Sequence, residues 1–372
     1  MLAEKLLQFL QTTGFTNLDP KSLIMLAVGS LLLYLAIAKE YEPSLLLPMG
    51  FGCLLVNIPL TGLMDPGGLL YWLNMGVIHD IYPPLIFIGI GAMMDFGPLL
   101  ANPGLFILGA AGQVGIFTTF IGALALGFPI KEAGAIGIIG AADGPTSVFA
   151  ANILAPRLLG PITVAAFSYM SLIPIIQPPI MKALTTKEER QIVMTQLRPV
   201  SKFEKLAFPI AVTIVIGLVV PASMVLVGPL MLGNLFRESG VVDRLSKTAQ
   251  NELTNIATIF LGISVGGAMT GEAFVNAQTL MILALGFVAF IMGSAGGILF
   301  AKIMNLFLKN KINPLIGSAG ISAMPMAARV YLLMGLEENP HNFLIMHAMA
   351  ANVAGQIASP IAAAVVIAML QK

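Results

Sequence analysis

One carboxylate lies among helix-breaking residues in one of the most apolar parts of the chain. Asp143 stands in the run GAADGPTS at residues 140–147, and the glycines and proline around it prevent a single continuous helix from passing through. Such a break leaves backbone carbonyl oxygens unpaired beside a carboxylate, and oxygen ligands of this kind suit a hard cation such as Na⁺. We therefore predict that Asp143 binds an ion, with a buried structural salt bridge as the alternative.

A second broken stretch carries a single charge. It reads NPLIGSAGISAMPMAAR over residues 313–329, and Arg329 is its only ionisable side chain. A guanidinium does not deprotonate and is costly in lipid, so it must face a polar cavity or neutralise a carboxylate. We predict that Arg329 binds the carboxylate of an anionic substrate through its fork of donors. Charge balance, or a side chain that extends to the membrane surface, is the alternative.

Two polar side chains occupy comparable places in the spans that follow the two breaks, Tyr169 after the first and Asn352 after the second. An amide oxygen is a neutral Na⁺ ligand, so Asn352 is a candidate for the same ion site as Asp143. A buried tyrosine usually places its hydroxyl on a carbonyl, and spacing alone therefore gives Tyr169 no special role. Ser322, in the second break, would join the site if the two breaks face each other.

The composition indicates a polytopic membrane protein. The 372 residues are 57% hydrophobic and only 10% charged, whereas a soluble domain carries about 25% charged residues. Nineteen basic and 18 acidic residues leave no net charge that would favour nucleic acid as a partner. One cysteine and three scattered histidines give neither a disulfide framework nor a Cys/His metal cluster.

The elements that must position these residues are apolar helices, so the predicted fold class is all-α. Spans of membrane-crossing character are predicted over residues 23–38, 105–128, 161–180, 207–226, 256–269, 280–303 and 342–370. Residues 45–63 and 83–94 are shorter or interrupted by proline and glycine. Broken segments of this kind occur at membrane depth only where protein or a water-filled cavity satisfies the backbone.

The chain also contains an internal repeat. IFIGIG at residues 86–91 recurs as IFLGIS at 259–264, and the stretches at 48–52 and 140–145 have counterparts at 229–233 and 317–322. Paired broken segments in two halves are the best sequence indicator of a transporter binding site. If an odd number of spans separates the copies, the halves are inverted and the two breaks meet tip to tip near the bilayer midplane. Two ambiguous spans leave that parity open.

From these patterns we predict two inverted repeats with broken or re-entrant helices and an elevator-like division into core and scaffold. The predicted divisions are an N-terminal interfacial segment (1–20), a first repeat (21–185, scaffold 21–63 and core 83–182), a cytoplasmic connector (186–205) and a second repeat (206–372, scaffold 206–236 and core 254–372). The connector is assigned to the cytoplasm because it is rich in lysine and arginine. It is predicted either to be a solvated loop or to bind a soluble subunit.

At the broken segments the sequence closely resembles the membrane β subunit of the sodium-pumping, biotin-dependent decarboxylases, which act on oxaloacetate, methylmalonyl-CoA, glutaconyl-CoA or malonate. The most specific parts are GAADGPT at 140–146, SYM at 168–170 and residues 313–329. By this resemblance the sodium-site aspartate of the family falls on Asp143 and its functional tyrosine on Tyr169. The functional Asn, Gly, Ser and Arg fall on four further residues, Asn313, Gly317, Ser322 and Arg329.

The resemblance implies that carboxybiotin, brought by a separate biotin-carrier subunit, is decarboxylated at this subunit while Na⁺ is exported and a proton is consumed. It also implies a carboxyltransferase (α) subunit, a small membrane-anchor subunit, a homo-oligomer and a place in the plasma membrane of a prokaryote. The chain is compact for this family, which favours an acyl-CoA decarboxylase complex over an oxaloacetate one.

On this basis Tyr169, Arg329, Asn313 and Ser322 are predicted to be catalytic. Arg329, Asn313 and Gly317 are predicted to bind carboxybiotin, and Asp143, Ser322 and Asn352 to bind Na⁺. Two other classes of membrane protein are also consistent with these residues. A secondary sodium:carboxylate symporter would share the breaks and the arginine, and a passive channel or assembly scaffold would be indifferent to loss of Asp143.

Overall fold

The regular elements of the structure are helices throughout the part of the chain that it describes. The computed structural model describes residues 9, 11–194, 196–323 and 326–371, and for residues 171 and 326–329 it describes the backbone alone. Most of the predicted N-terminal interfacial segment therefore lies outside the described residues. Its described part includes a 3₁₀ turn, Gly14–Asn17.

The first half contains the helices α1 (Pro20–Ala38), α2 (Pro43–Asn57), α3 (Leu69–Ile78), α4 (Tyr82–Met93), α5 (Gly97–Ala101), α6 (Phe106–Gly112), α7 (Val114–Ala125), α8 (Ile130–Ile138), α9 (Gly144–Leu154), α10 (Leu159–Ser171) and α11 (Ile173–Leu184). The connector contains one turn of helix, α12 (Lys187–Arg190). The second half contains α13 (Lys202–Val219), α14 (Met224–Ser239), α15 (Asp243–Thr248), α16 (Thr254–Gly267), α17 (Gly271–Phe274), α18 (Ala277–Phe307), α19 (Met326–Glu338) and α20 (Ile345–Leu370).

The apolar spans confirm an integral membrane protein. Within the described residues, four helical segments are long and apolar enough to cross a bilayer: Pro20–Ala38, Pro103–Ala125, Ala277–Phe307 and Ile345–Leu370. Two further segments are helix pairs bent by 66° and 64°, α3 with α4 and residues 156–184. The span predicted over 161–180 is therefore bent rather than straight, because α10 ends at residue 171 and α11 begins at Ile173-Pro174.

The two halves interlock through glycine. Between α2 and α16, Gly52 and Gly266 each lie against the backbone of the other helix. Between α4 and α14, Gly91 and Gly233 do the same. Each of these helix pairs joins one helix from the first half to one from the second, and the four helices are those that contain the repeated sequence strings. The absence of a side chain allows the close approach.

Each broken segment forms a helical hairpin within the described residues, and re-entry into the membrane stays a prediction. Hairpin A runs over residues 130–154. Two contacts show that its ends lie side by side. A Cβ on Gly134 would touch Leu154, and the Arg157 guanidinium pairs with Glu132 at 2.5 Å. Hairpin B comprises residues 314–323 and 326–338. Its ends are joined through Arg190, whose carbonyl accepts a hydrogen bond from Asn313 and whose guanidinium contacts Glu338.

The hairpins enter from opposite ends of α20, the C-terminal helix. This helix has 26 residues and is about 39 Å long. Its last residue, Leu370, lies at Gly134 in hairpin A, whereas Leu344, just before its start, lies at Gly335 in hairpin B. The tips touch between these ends, where the Ser322 N–H donates to the Ala141 carbonyl at 3.2 Å. An inverted repeat requires this arrangement, although the inversion of the complete halves stays a prediction.

Candidate ion-binding site at the hairpin tips

The tip of hairpin A presents the Asp143 carboxylate. A short 3₁₀ turn ends at Ala141, Ala142 takes a left-handed conformation with φ +55°, and α9 begins at Gly144-Pro145. Asp143 caps α9 because its Oδ1 accepts from the Thr146 N–H at 3.2 Å. The residue is 2% exposed, and its Oδ2 has no hydrogen-bond partner. One oxygen of the carboxylate is thus fixed to the helix, and the other is free to bind a cation.

The tip of hairpin B is held by α20. The Asn352 amide donates to the Ile321 carbonyl at 2.7 Å, and the Gln356 amide donates to the Ser322 carbonyl. The Ser322 hydroxyl forms a hydrogen bond with the Ser359 hydroxyl. Asn352, Gln356 and Ser359 recur at helical spacing on one face of α20, and this face therefore follows the backbone of the tip.

Four buried oxygens at these tips have no donor. They are Asp143 Oδ2, Thr146 Oγ1, Asn352 Oδ1 and Gln356 Oε1. An unpaired buried polar atom costs about 1–3 kcal/mol, so several in one region indicate a missing partner. Oxygen is the ligand type that hard cations prefer, and one carboxylate among neutral oxygens matches a single positive charge. No group of three or more His, Cys, Asp or Glu side chains that could together hold a metal ion occurs among the described residues.

The salt-bridge alternative for Asp143 finds no support among the described side chains, where no lysine or arginine lies within 4.0 Å of its carboxylate. The side chain of Arg329 is not among them. The backbone of Arg329 lies in the first turn of α19, directly after the tip of hairpin B. Its predicted contact with a substrate carboxylate falls outside the described residues and stays a prediction.

Tyr169 lies away from the hairpin tips. Its hydroxyl donates to the Leu283 carbonyl in α18 at 2.7 Å, and its ring packs against Phe287 and Phe290. This is the ordinary hydrogen bond that spacing alone predicts for a buried tyrosine. The catalytic role implied by the family resemblance stays a prediction.

Asn313 and Gly317 have structural contacts at the start of hairpin B. The Asn313 amide donates to the carbonyls of Arg190 and Ile192 at 2.7 and 3.0 Å, and its oxygen accepts from the Leu315 N–H. Gly317 packs on Gly297 of α18 so closely that a Cβ on either would overlap the carbonyl of the other. Both residues therefore position the hairpin, and their predicted part in binding carboxybiotin stays a prediction.

The predicted connector covers the open end of hairpin B. Arg190 pairs with Glu338 at 2.7 Å, and Lys302 pairs with Glu189 at 3.2 Å. Arg198 pairs with Glu204 at 2.6 Å, and its hydrogen bond lowers the pKa of the Glu204 carboxyl to about 2. These cations are already paired within the chain, so a partner protein would meet a surface of mixed charge.

Sequence reasoning missed Thr146, Gln356 and Ser359. Thr146 was visible as part of the GAADGPT run, and Gln356 lies one helical turn after Asn352. The i, i+4 spacing could have paired Gln356 with Asn352. Ser359 had no such signal, because its role depends on where α20 lies against Ser322.

Two opposed hairpins whose tips meet beside a buried carboxylate and several buried neutral oxygens are typical of ion-translocating membrane proteins. Comparison with known proteins narrows that class. Residues 21–370 match the family model described as the Na⁺-transporting oxaloacetate decarboxylase beta subunit, and the chain belongs to this family.

Its relatives include beta subunits of decarboxylases with different substrates. The chain is 54% identical to the methylmalonyl-CoA decarboxylase subunit beta of Propionigenium modestum, over 99% of this chain and 100% of that one. It is 55% identical to the glutaconyl-CoA decarboxylase subunit beta of Acidaminococcus fermentans, over 97% and 96% of the two chains. It is 48% identical to oxaloacetate decarboxylase beta chain 2 of Salmonella typhi, over 98% of both.

Proposed function

We propose that the protein is the membrane subunit of a decarboxylase sodium pump that decarboxylates carboxybiotin on a biotin-carrier subunit, exports Na⁺ and consumes a proton. The observation that carries the proposal is the cluster of buried oxygens without donors at the two hairpin tips, centred on Asp143. Family membership supports this function over the sodium:carboxylate symporter.

The proposed Na⁺ shell consists of Asp143, Ser322 and Asn352, with Thr146 and Gln356 added from the geometry. The carboxylate supplies the negative charge, and the amide oxygens of α20 supply neutral ligands. Because Asn352 and Gln356 also donate to the backbone of tip B, ion binding and the shape of that tip are linked. A cation that draws these oxygens together would fix hairpin B against hairpin A.

The proposed decarboxylation site lies along hairpin B, between its open end, which the connector covers, and Arg329 near its tip. Carboxybiotin supplies a carbamate whose C–N bond breaks to release CO₂, and the ring nitrogen then takes one proton. Arg329, directly after tip B, attracts the carboxylate before this step, with Asn313 and Gly317 shaping the entrance. Tyr169 and Asp143 are the two candidates for delivering the proton. Hairpin A, which opens at the far end of α20, provides the opposite route for the ion.

An acyl-CoA decarboxylase complex is favoured over an oxaloacetate one. The match to the Salmonella typhi oxaloacetate chain extends over 426 aligned residues, more than the 372 of this chain, so that relative contains inserted residues. The match to the Propionigenium modestum methylmalonyl-CoA chain extends over 393 and has higher identity. The full complex, with its carboxyltransferase and small membrane-anchor subunits, should therefore act on an acyl-CoA.

The test is decarboxylation of free carboxybiotin by the purified protein at varied Na⁺ concentration. Asp143→Asn should raise the Na⁺ concentration for half-maximal activity by at least about 100-fold, because loss of one partner of a buried charge pair costs about 3–5 kcal/mol. Asparagine still caps a helix, so the effect reports the charge.

Asp19→Asn is the matched control. Asp19 also caps a helix that begins with proline, through a 3.0 Å bond from the Ser22 N–H, but it is exposed and far from the hairpin tips. Its variant should behave like the wild type. Unchanged Na⁺ activation in Asp143→Asn would refute the assignment of the ion site.

A further inference from the structure

A second buried polar cluster lies behind the tip of hairpin B. The Tyr331 hydroxyl, on α19, lies 3.0 Å from Gln177 Oε1 and 3.0 Å from the Ser318 carbonyl oxygen. The Gln177 amide nitrogen lies 3.2 Å from both the Ser294 hydroxyl and the same Ser318 carbonyl. All four side chains are at most 1% exposed. The cluster joins α11, α18, hairpin B and α19.

Counting protons fixes the orientation of the Gln177 amide. A carbonyl cannot donate, so the atom of Gln177 that faces the Ser318 oxygen must be the NH₂ group. Its oxygen then faces Tyr331, whose hydroxyl is its only donor among the described contacts. Without that hydroxyl, Gln177 would either bury an unpaired oxygen or rotate its amide and set two oxygens against each other at Ser318.

Ser318 lies just before the tip residues that carry the proposed ion site. On one side, Asn352 and Gln356 hold the carbonyls of Ile321 and Ser322. On the other side, Gln177 holds the carbonyl of Ser318. Gln177 belongs to the first half of the chain and Tyr331 to the second, so this contact crosses between the halves.

We propose that Tyr331 and Gln177 are positioning residues that hold tip B in the shape that binds Na⁺. Tyr331 orients the Gln177 amide, and Gln177 fixes the Ser318 carbonyl. Because Tyr331 lies two residues after Arg329 on α19, the pair also links the proposed carboxybiotin contact to the ion site. This inference rests on the proposed function, since it assumes that Na⁺ binds at the tips.

The test variant is Tyr331→Phe, which removes only the hydroxyl. The Na⁺ concentration for half-maximal carboxybiotin decarboxylation should rise about tenfold, the loss typical of removing a group that orients a metal ligand. The rate at saturating Na⁺ should fall less, because excess ion restores the bound tip. Na⁺ should also give less protection from hydrogen exchange in residues 314–323 of the variant.

Tyr82→Phe is the matched control. Tyr82 is also buried, and its hydroxyl donates to a single carbonyl, that of Leu73, at 2.7 Å. It lies on α4, outside both hairpins, so its variant should lose some thermal stability and keep the wild-type Na⁺ dependence.

Gln177→Met provides a second variant with a side chain of similar length. Because Tyr331 and Gln177 both contact the Ser318 carbonyl and each other, the double variant Tyr331→Phe/Gln177→Met should lose less Na⁺ affinity than the sum of the two single losses. Additive losses would mean that the two residues act independently and would contradict the proposed pair. If the wild type responds to Na⁺ and Tyr331→Phe responds identically, this inference fails and the ion site stands. A wild type that shows no Na⁺ dependence would overturn both.

Discussion

Four buried side-chain oxygens at the hairpin tips make no hydrogen bond of ordinary geometry: Asp143 Oδ2, Thr146 Oγ1, Asn352 Oδ1 and Gln356 Oε1. Local strain would be enough to explain one unpaired oxygen. Four unpaired oxygens at two hairpin tips that touch each other are better explained by a bound cation, which would interact with all of them. At the residue scale, this arrangement of one carboxylate and several neutral oxygens supports the proposed Na⁺ site.

Asn352→Ala tests the neutral part of the proposed shell. Removing the amide oxygen should raise the Na⁺ concentration for half-maximal decarboxylation by about 10- to 100-fold, because the ion loses a ligand and tip B loses a support. Asn234→Ala is the matched control. Asn234 is also buried, donates to the carbonyls of Met94 at 2.9 Å and Gly91 at 3.5 Å and has an unpaired oxygen, but it lies between α14 and α4. Its variant should lose stability and keep wild-type Na⁺ dependence.

Arg329→Lys tests the proposed carboxylate contact. Lysine keeps the charge but loses the planar fork of donors, so carboxybiotin turnover should fall by at least about tenfold. The Na⁺ affinity, measured as Na⁺ stabilisation of the protein against heat, should change much less. Equal losses in both quantities would mean that the arginine supports the fold rather than the substrate.

At the scale of elements, the hairpins depend on glycines that let backbones touch. Gly317 and Gly297 form one such contact between hairpin B and α18, and Gly140 and Gly115 form another between hairpin A and α7. A short broken segment in an apolar bundle cannot bury a large side chain at each contact, so close backbone packing holds it instead.

Gly317→Ala separates packing from substrate binding. The added Cβ would overlap the Gly297 carbonyl, and the backbone must shift, at a cost of about 1–3 kcal/mol. The midpoint of thermal unfolding should fall even without any substrate. Gly228→Ala is the control, because a Cβ there meets nothing within 4 Å, and this variant should be as stable as the wild type or slightly more. A normal midpoint with a raised KM for carboxybiotin would instead support the predicted substrate contact of Gly317.

At the scale of the whole molecule, the two hairpins open toward opposite ends of α20 and meet between them. A site at the tips can be reached from one side when hairpin B loosens and from the other when hairpin A loosens. The interlocked pairs α2 with α16 and α4 with α14 provide a separate block that does not contain the tips. This block differs from the predicted scaffold, because it includes α4 and α16, which the predicted division placed in the core. Movement of the two hairpins against it would be an elevator motion.

Vesicles containing only this subunit distinguish a pump from a symporter. We expect ²²Na⁺ to accumulate when carboxybiotin is supplied on the connector side, and external carboxylates to give no uptake under a Na⁺ gradient. Asp143→Asn vesicles should be inactive in the first assay. Uptake of a carboxylate by the wild type without any biotin compound would favour the symporter.

Much of this architecture can be predicted from the sequence. The low content of charged residues predicts a membrane protein, because long apolar helices of this kind are typical of segments that cross the hydrocarbon core of a bilayer. Glycine and proline around Asp143 predict a break, since they disrupt a helix by local sterics alone. The two broken segments and their matching positions follow from the same local rules, and the family resemblance follows from the strings themselves.

Tertiary structure alone decided which polar groups meet at the proposed site. Thr146 and Gln356 lie at the hairpin tips with Asp143 and Asn352 because hairpin A, hairpin B and α20 converge, and no local preference encodes that convergence. The structure also showed that Asn313 binds the connector and that Tyr169 binds an α18 carbonyl, whereas the Tyr331 hydroxyl contacts the Ser318 carbonyl within hairpin B. Hydrogen bonds between distant segments depend on packing across the whole bundle. The sequence by itself determined where the helices break, and the fold determined which oxygens meet at the breaks.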